Sequence, residues 1–182
     1  MQHVDIVGLL RAGVEIKGGH WADLGAGEGA FTLALADLLG QGAHVTAVDR
    51  DAGSLRRLAA EMGRRFPATG LDIVVADFTR PLALAGLDGV VMANSLHFLR
   101  DKRPVLAAVR SMMRPDGRLI VVEYGADRGN PWVPHPFSYP RWEQMAAQAG
   151  FERTRLLGTV PSRYLGSMYS SITYAALPTK SG

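Results

Sequence analysis

The segment Asp23-Leu24-Gly25-Ala26-Gly27-Glu28-Gly29 constrains this chain more than any other. An apolar run, His20 to Leu24, leads into it, and a helical pattern, Ala30 to Leu39, leaves it. The order is strand, glycine turn, helix. A reversal this tight needs positive φ or backbone without a Cβ, and glycine supplies both at least steric cost. A ligand can then lie against bare main chain, with the free N–H groups of the helix start directed at it.

The next acidic residue extends the pattern. Val45 to Val48 is a second apolar strand ending in Asp49, 20 residues past Gly29. A mononucleotide-binding βαβ unit places a carboxylate there for ribose hydroxyls, and one carboxylate can accept from both vicinal hydroxyls. The alternative is a solvated strand-end residue. The turn also indicates the sign of the ligand's charge. Its third glycine comes one residue earlier than in the Gly-x-Gly-x-x-Gly of dinucleotide folds, and Asp23 and Glu28 flank it. Acids beside the turn disfavour a pyrophosphate and suit a cation.

The rest of the chain repeats strand and helix. Val4 to Ala12 reads as a short amphipathic helix, a packing element or a lid, broken by Gly18-Gly19 within an N-terminal lead-in over 1–18. Phe31, Leu35, Leu38 and Leu39 form a helical stripe for packing on a sheet. Asp51 is an N-cap candidate for a helix over Ala52 to Met62, with Gly63 as its stop. Leu71 to Ala76 is the third strand, ending at Asp77-Phe78, and Gly89 to Ala93 is the fourth, ending at Asn94. Asp101 is placed to cap a helix reaching about Met113, and Pro104 suits its first turn. Arg114-Pro115-Asp116-Gly117 is a turn by composition, and Arg118 to Glu123 is a strongly apolar fifth strand. Pro131, Pro134, Pro136 and Pro140 forbid regular structure over most of 125–139, where Trp132, His135, Phe137 and Tyr139 also lie. Aromatic residues in a loop at a strand-carboxyl end suit a binding wall, and equally a loop packed on its own domain. Pro140 to Gln148 reads as a helix, and Phe151 to Leu157 and Ser171 to Leu177 as the last strands. The link between them, Val160 to Tyr169, carries Arg163, Tyr164, Met168 and Tyr169, a candidate second wall. The expectation is one domain over 1–182, an α/β sheet, mostly parallel, with helices on both faces.

The pattern acid-x-Gly-x-Gly-x-Gly, with Asp23 leading, resembles motif I of the class I S-adenosylmethionine-dependent methyltransferases. That cofactor, S-adenosyl-L-methionine, carries a sulfonium and an ammonium. The resemblance covers about His20 to Leu177. It implies a three-layer Rossmann-like sandwich, sheet order 3-2-1-4-5-7-6, with an antiparallel last strand. It also implies cofactor-binding roles: Asp23, Gly25, Ala26 and Gly27 at the turn, Asp49 at the ribose, Asp77 and Phe78 at the adenine. Arg50 is implied over the adenine, or is simply exposed. The backbone near Ala93 and Asn94 is implied to accept the methionine ammonium. Asn94-Ser95-Leu96-His97-Phe98 resembles motif IV, but departs from the Asp-Pro-Pro-Tyr and Asn-Pro-Pro-Tyr forms used on nucleobase amines. Arg114 to Tyr124 resembles the matching segment of small-molecule members, including the ubiquinone- and menaquinone-biosynthesis type, with Asp116 in place of a glycine.

Methyl transfer from a sulfonium is an in-line displacement, so alignment is the main requirement. A base is needed only where the acceptor loses a proton. His97, just past the fourth strand, is the leading candidate base, and a packed or hydrogen-bonded structural histidine is its alternative. His135 is a weaker candidate. Tyr124, Trp132 and Tyr164 are candidate acceptor contacts. His3, His20 and His44 show no metal spacing, and no metal site is expected.

Composition narrows the function further. There is no cysteine, which excludes a disulfide framework, a thiolate metal site and a cysteine nucleophile. Net charge is +3 with scattered arginines, too weak a basic signal to argue for nucleic acid. No signal peptide or long apolar span is present, so the expected location is cytoplasmic. About 18 residues precede the first strand, so the acceptor pocket is expected to be open, or completed by a second subunit in a homodimer. The leading reading is methyl transfer to a small-molecule acceptor, with RNA or protein as the rival acceptor. A nicotinamide-dependent oxidoreductase fits the glycine spacing poorly and lacks a Tyr-x-x-x-Lys pair. A non-catalytic cofactor-binding subunit is the third class.

Overall fold

The computed structural model describes residues 1–177, so 178–182 of the expected domain lie outside the described residues. Seven strands form one sheet in the order β3-β2-β1-β4-β5-β7-β6. They are β1 (His20–Leu24), β2 (His44–Asp49), β3 (Gly70–Val75), β4 (Leu87–Ala93), β5 (Met113–Tyr124), β6 (Phe151–Pro161) and β7 (Ser167–Ala175). The first five run parallel, and β7 pairs antiparallel with both β5 and β6. Both the fold class and the strand order agree with the sequence reading.

Alternation along the strands sorts side chains into two layers. On one face Trp21, Val45, Val91, Ile120 and Ile172 meet helix α1 (His3–Arg11) and helix α2 (Ala30–Leu39). Helix α3 (Ala52–Arg65) buries Leu55, Leu58 and Met62 with Ala47 of β2 and with Leu33 and Ala36 of α2. On the other face Ala22, Leu24, Val90, Met92, Leu119 and Val121 meet helix α4 (Arg103–Met112) and helix α5 (Tyr139–Gln148). Helix α1 buries Ile6, Val7, Leu9 and Leu10, the i, i+3, i+4 stripe of an amphipathic helix. It packs into the core, and the carbonyl of Leu9 accepts a buried hydrogen bond from Ser170 Oγ of β7 at 2.6 Å.

Several boundaries differ from expectation. Gly63 does not stop α3, which continues to Arg65 before Pro67. A single glycine weakens a helix, whereas a proline removes a donor and blocks it. Asp101 is one position early for an N-cap, since Lys102 holds that place, yet its Oδ1 still accepts the Arg103 amide at 3.0 Å. The expected turn Arg114–Gly117 is an irregularity inside β5. A step of two along β4, from Leu87 to Gly89, stands opposite a step of five along β5, from Met113 to Arg118, with Asp116 at φ 62. Strand β6 runs on to Pro161, and β7 starts earlier than expected, at Ser167, and ends at Ala175 rather than Leu177, so Met168 and Tyr169 belong to β7, not to the link. Met168 and Tyr169 pair with Tyr124 and Glu123 of β5 on one side and with Val160 and Thr159 of β6 on the other. The β3–β4 crossover, residues 76–86, contains no helix and packs Phe78, Leu82 and Leu84 on the α4 side.

Candidate active site

Parallel strands bring their carboxyl ends to one edge of the sheet, where open α/β folds bind ligands. Leu24, Asp49, Ala93 and Tyr124 all end there. The glycine turn leaves β1 with Gly25, Gly27 and Gly29 at φ 88, 53 and 87. The amides of Gly25 and Ala26 donate to the Val48 carbonyl at 2.8 and 3.1 Å, pressing the turn onto β2. Gly25 is required twice over: its φ is left-handed, and a Cβ would lie 2.7 Å from the Ser95 Cβ.

The acids around the turn do different work. Asp23 is buried, and its Oδ2 accepts from Thr32 Oγ1 at 2.6 Å, tying β1 to α2. Burial, seconded by the charge of Asp49, pushes its carboxyl up to about 6 against the pull of Thr32. Asp49 Oδ2 accepts the Gly27 amide at 2.8 Å and Oδ1 accepts the Asp51 amide at 2.9 Å, so this carboxylate holds the turn from β2. Asp77 accepts from the amide and hydroxyl of Thr79, bonds that hold its carboxyl below the usual range, and it stays exposed. Arg50 is exposed and close enough to lower Asp77 further. The Phe78 ring leans toward the glycine turn, 3.4 Å from where a Cβ on Gly25 would stand.

Asn94 closes this rim. It takes φ 52 at the end of β4, a left-handed conformation that asparagine tolerates better than most side chains. Its Oδ1 and the Ser95 Oγ are buried without a hydrogen-bond partner. Orphaned acceptors, carboxylates and a cradle that a Cβ would fill form a donor-seeking, anion-rich lining. S-adenosylmethionine suits it, with an ammonium, a sulfonium and ribose hydroxyls to offer.

A second feature lies beside the first. The segment Leu96–Phe98 is one turn of 3₁₀ helix, and under it Glu123 is wholly buried at the end of β5. Glu123 Oε1 accepts the amides of Leu96 and His97 at 2.8 and 3.1 Å, and Oε2 pairs with His97 Nδ1 at 2.8 Å. The His97 ring is packed against Phe98 and edge-on to Tyr124, with centroids 4.2 and 5.3 Å apart. No described residue pairs with Nε2. Tyr124 is held protonated, its phenol raised by burial and then by the charge of Glu123. Glu123 was not singled out from the sequence. The signal was available: a lone acid closing an apolar strand, as Asp49 closes β2.

Tyr124 and Asn94 line a cleft of 890 Å³ between α1, the start of α2 and the β6–β7 hairpin. Ile6, Leu9, Phe31 and Met168 give it an apolar floor, and Tyr164 and Arg163 stand at the hairpin. Helix α1 therefore both packs and lines the cleft, contributions that the sequence reading did not assign residue by residue. Trp132 is 75% exposed and does not line the cleft. His135 also lies elsewhere, facing a separate pocket toward α5, while its amide donates to the His97 carbonyl at 2.9 Å. The proline loop is pinned by Asn130, whose Oδ1 accepts the Trp132 and Val133 amides and whose Nδ2 donates to the Tyr164 carbonyl. Among the described residues no three His, Asp or Glu side chains are grouped to hold a metal ion, and no helix is long and apolar enough to cross a membrane.

The comparisons with known proteins agree with this architecture. The methyltransferase domain family model matches residues 22–119, from β1 into β5. The chain therefore belongs to the class I S-adenosylmethionine-dependent methyltransferases. The O-methyltransferase cnsE of Penicillium expansum is 30% identical over 119 residues, covering 65% of this chain and 42% of that protein. The highly reducing polyketide synthase aurA of Calcarisporium arbuscula is 26% identical over 84% of this chain, which spans 7% of that protein. In both cases the chain corresponds to less than half of the relative. A SAM-dependent methyltransferase from Methanosarcina mazei shares the fold, with a TM-score of 0.70 at 18% identity over 88% of this chain and 94% of its own.

Proposed function

We propose that this protein methylates a small molecule bearing an acidic O–H or C–H, with His97 as the base and Glu123 as its positioning residue. The buried Glu123–His97 pair carries this reading. Glu123 spends one oxygen on backbone amides and the other on Nδ1, which leaves Nε2, on a buried ring behind the cleft lining and edge-on to Tyr124, as the proposed proton acceptor. A carboxylate behind an imidazole fixes its tautomer and stabilises the imidazolium formed as the acceptor loses its proton.

The cofactor-binding roles follow the same layout. Asp49 and Asp77 are the proposed ribose and adenine contacts, with Arg50 and Phe78 flanking the ring. Gly25, Ala26 and Gly27 give the cofactor bare backbone, and Asp23 and Asn94 face its cationic end. Bound there, the cofactor supplies an electrophilic methyl group on a neutral leaving group. Tyr124 and the floor of Ile6, Leu9 and Met168 exclude water and hold the acceptor in line. Tyr164 is the proposed contact at the mouth. The apolar cleft favours a small acceptor over RNA. The relatives, an O-methyltransferase and a polyketide synthase, are consistent with a phenolic, enolic or carbon-acid acceptor.

The test is transfer of labelled methyl from S-adenosylmethionine to a panel of phenols and 1,3-dicarbonyl compounds. With an accepted compound in hand, His97→Ala and Glu123→Gln are expected to lower kcat by roughly 10²–10⁴-fold at unchanged cofactor affinity. Full turnover in His97→Ala would remove the base from the mechanism.

A further inference from the structure

A second pocket, of 420 Å³, opens on the α4–α5 face and shares no lining residue with the acceptor cleft. Its walls are Arg100, Lys102, His135 and Arg141, with Phe137 and Met145 among its apolar contacts. Among the described residues that line it, Asp127 is the only acid.

Lys102 is the unusual member. It is 6% exposed, and no described carboxylate lies within ion-pair distance of its ammonium. Nζ donates to the carbonyls of Leu99 and His135 at 2.8 and 3.1 Å and sits 4.9 Å from the centre of the Phe137 ring. An ammonium has three donors, so one remains. Lys102 is also the N-cap of α4, where the helix dipole is positive and a cation is disfavoured. Burial and the dipole thus both oppose this charge, while two carbonyls, the Phe137 ring and the more distant charges of Glu123 and Asp101 support it. Nearby, Arg100 is exposed with no described ion-pair partner, and Arg141 reaches Asp127 at 3.4 Å. Three cations stand against one carboxylate in the lining, with the charges of Glu123 and Asp101 acting on Lys102 from outside it, so the lining itself is net positive.

We propose that this pocket binds a phosphomonoester, its phosphoryl group held by Arg100, Lys102 and Arg141 and its apolar portion against Phe137 and Met145. Guanidinium groups fork onto phosphoryl oxygens and the ammonium acts as a point charge. The apolar lining and the volume exceed what inorganic phosphate needs. A chain of hydrogen bonds joins the pocket to the proposed base, because Lys102 donates to the His135 carbonyl and the His135 amide donates to the His97 carbonyl.

The experiment is calorimetric titration of the full chain at constant ionic strength with phenyl phosphate, inorganic phosphate and benzoate. Phenyl phosphate is expected to bind saturably and about tenfold or more tighter than either of the others. Arg100→Gln and Arg141→Gln each weaken it roughly fivefold or more, because each removes charge-assisted donors. Asp127→Asn tightens it, since it removes the one repelling charge and keeps an acceptor for the Ser138 amide. Arg163→Gln, at the other cleft, leaves it unchanged. Benzoate or inorganic phosphate binding as tightly as phenyl phosphate would overturn the phosphomonoester assignment. Binding that responds to Arg163→Gln but not to Arg100→Gln, Arg141→Gln or Asp127→Asn would overturn the location, as would no saturable binding at all.

Discussion

Asp23→Asn tests whether the buried acid at the root of the glycine turn is a stability cost retained for the cofactor. In the folded chain this carboxyl titrates at about 6 rather than the ordinary 3.8, mainly because burial penalises its charge. A folded value above the unfolded one means that the native state holds the proton more tightly. Between about pH 4 and about pH 6 the folded chain binds more protons than the unfolded chain, so stability falls as pH rises. The contribution is fully present below the unfolded value. About 3 kcal/mol is lost by pH 7. Asparagine keeps an acceptor for Thr32 Oγ1 and has no titration. It also adds a buried NH₂, a penalty of about 1–3 kcal/mol that is the same at every pH. The informative quantity is therefore the difference between variant and wild type as pH changes. Urea unfolding of both proteins without cofactor, from about pH 4 to about pH 7, is expected to move that difference by about 2.4 kcal/mol in favour of the variant. Cofactor affinity carries the opposite linkage. In the wild type it is expected to rise as pH passes through about 6, because the ionised acid is proposed to face a cation, and in Asp23→Asn to stay flat. A stability difference that stays constant across the range would refute the argument from burial.

Three other outcomes follow from the geometry. Asp49→Ala removes the acceptor for the Gly27 and Asp51 amides together with the proposed ribose contact, so calorimetry should show S-adenosylmethionine binding about 10–100-fold weaker. Gly25→Ala forces a side chain into left-handed backbone against Ser95 and should cost about 1–3 kcal/mol in urea unfolding, with loss of cofactor binding. Ser170→Ala deletes the buried donor to the Leu9 carbonyl and should cost about 1–2 kcal/mol, with faster amide exchange confined largely to α1.

Much of the frame was legible in local sequence. Gly25, Gly27 and Gly29 announce a strand-to-helix turn because few other residues accept those φ values, and Asp49 announces the next strand end by its spacing. The apolar runs of β1, β2, β4 and β5 read as strands because both faces of the sheet are covered, so few polar residues, such as Asp23 and Thr46, interrupt them. Less legible were features set by pairing partners. The length of the β6–β7 hairpin depends on cross-strand hydrogen bonds that neither segment reveals alone. The irregularity at Arg114–Gly117 looks like a turn locally, yet pairing with β4 resumes on its far side.

The same division holds for the candidate site. The sequence by itself determined that a glycine turn with flanking acids would present bare backbone to a ligand, and that the ligand's charge should be positive. Those are properties of adjacent residues, governed by φ preferences and charge. Only the tertiary structure decided that His97 meets Glu123, 26 residues away, and that Lys102 is buried without a carboxylate. Parallel pairing carries the end of β5 beside the end of β4, and the 3₁₀ turn then lays the imidazole on the acid. Burial is a property of the assembled layers: the same lysine on a solvated helix end would carry no such cost. The cleft is likewise a product of assembly, because α1, β5 and the β6–β7 hairpin meet only when the sheet is complete.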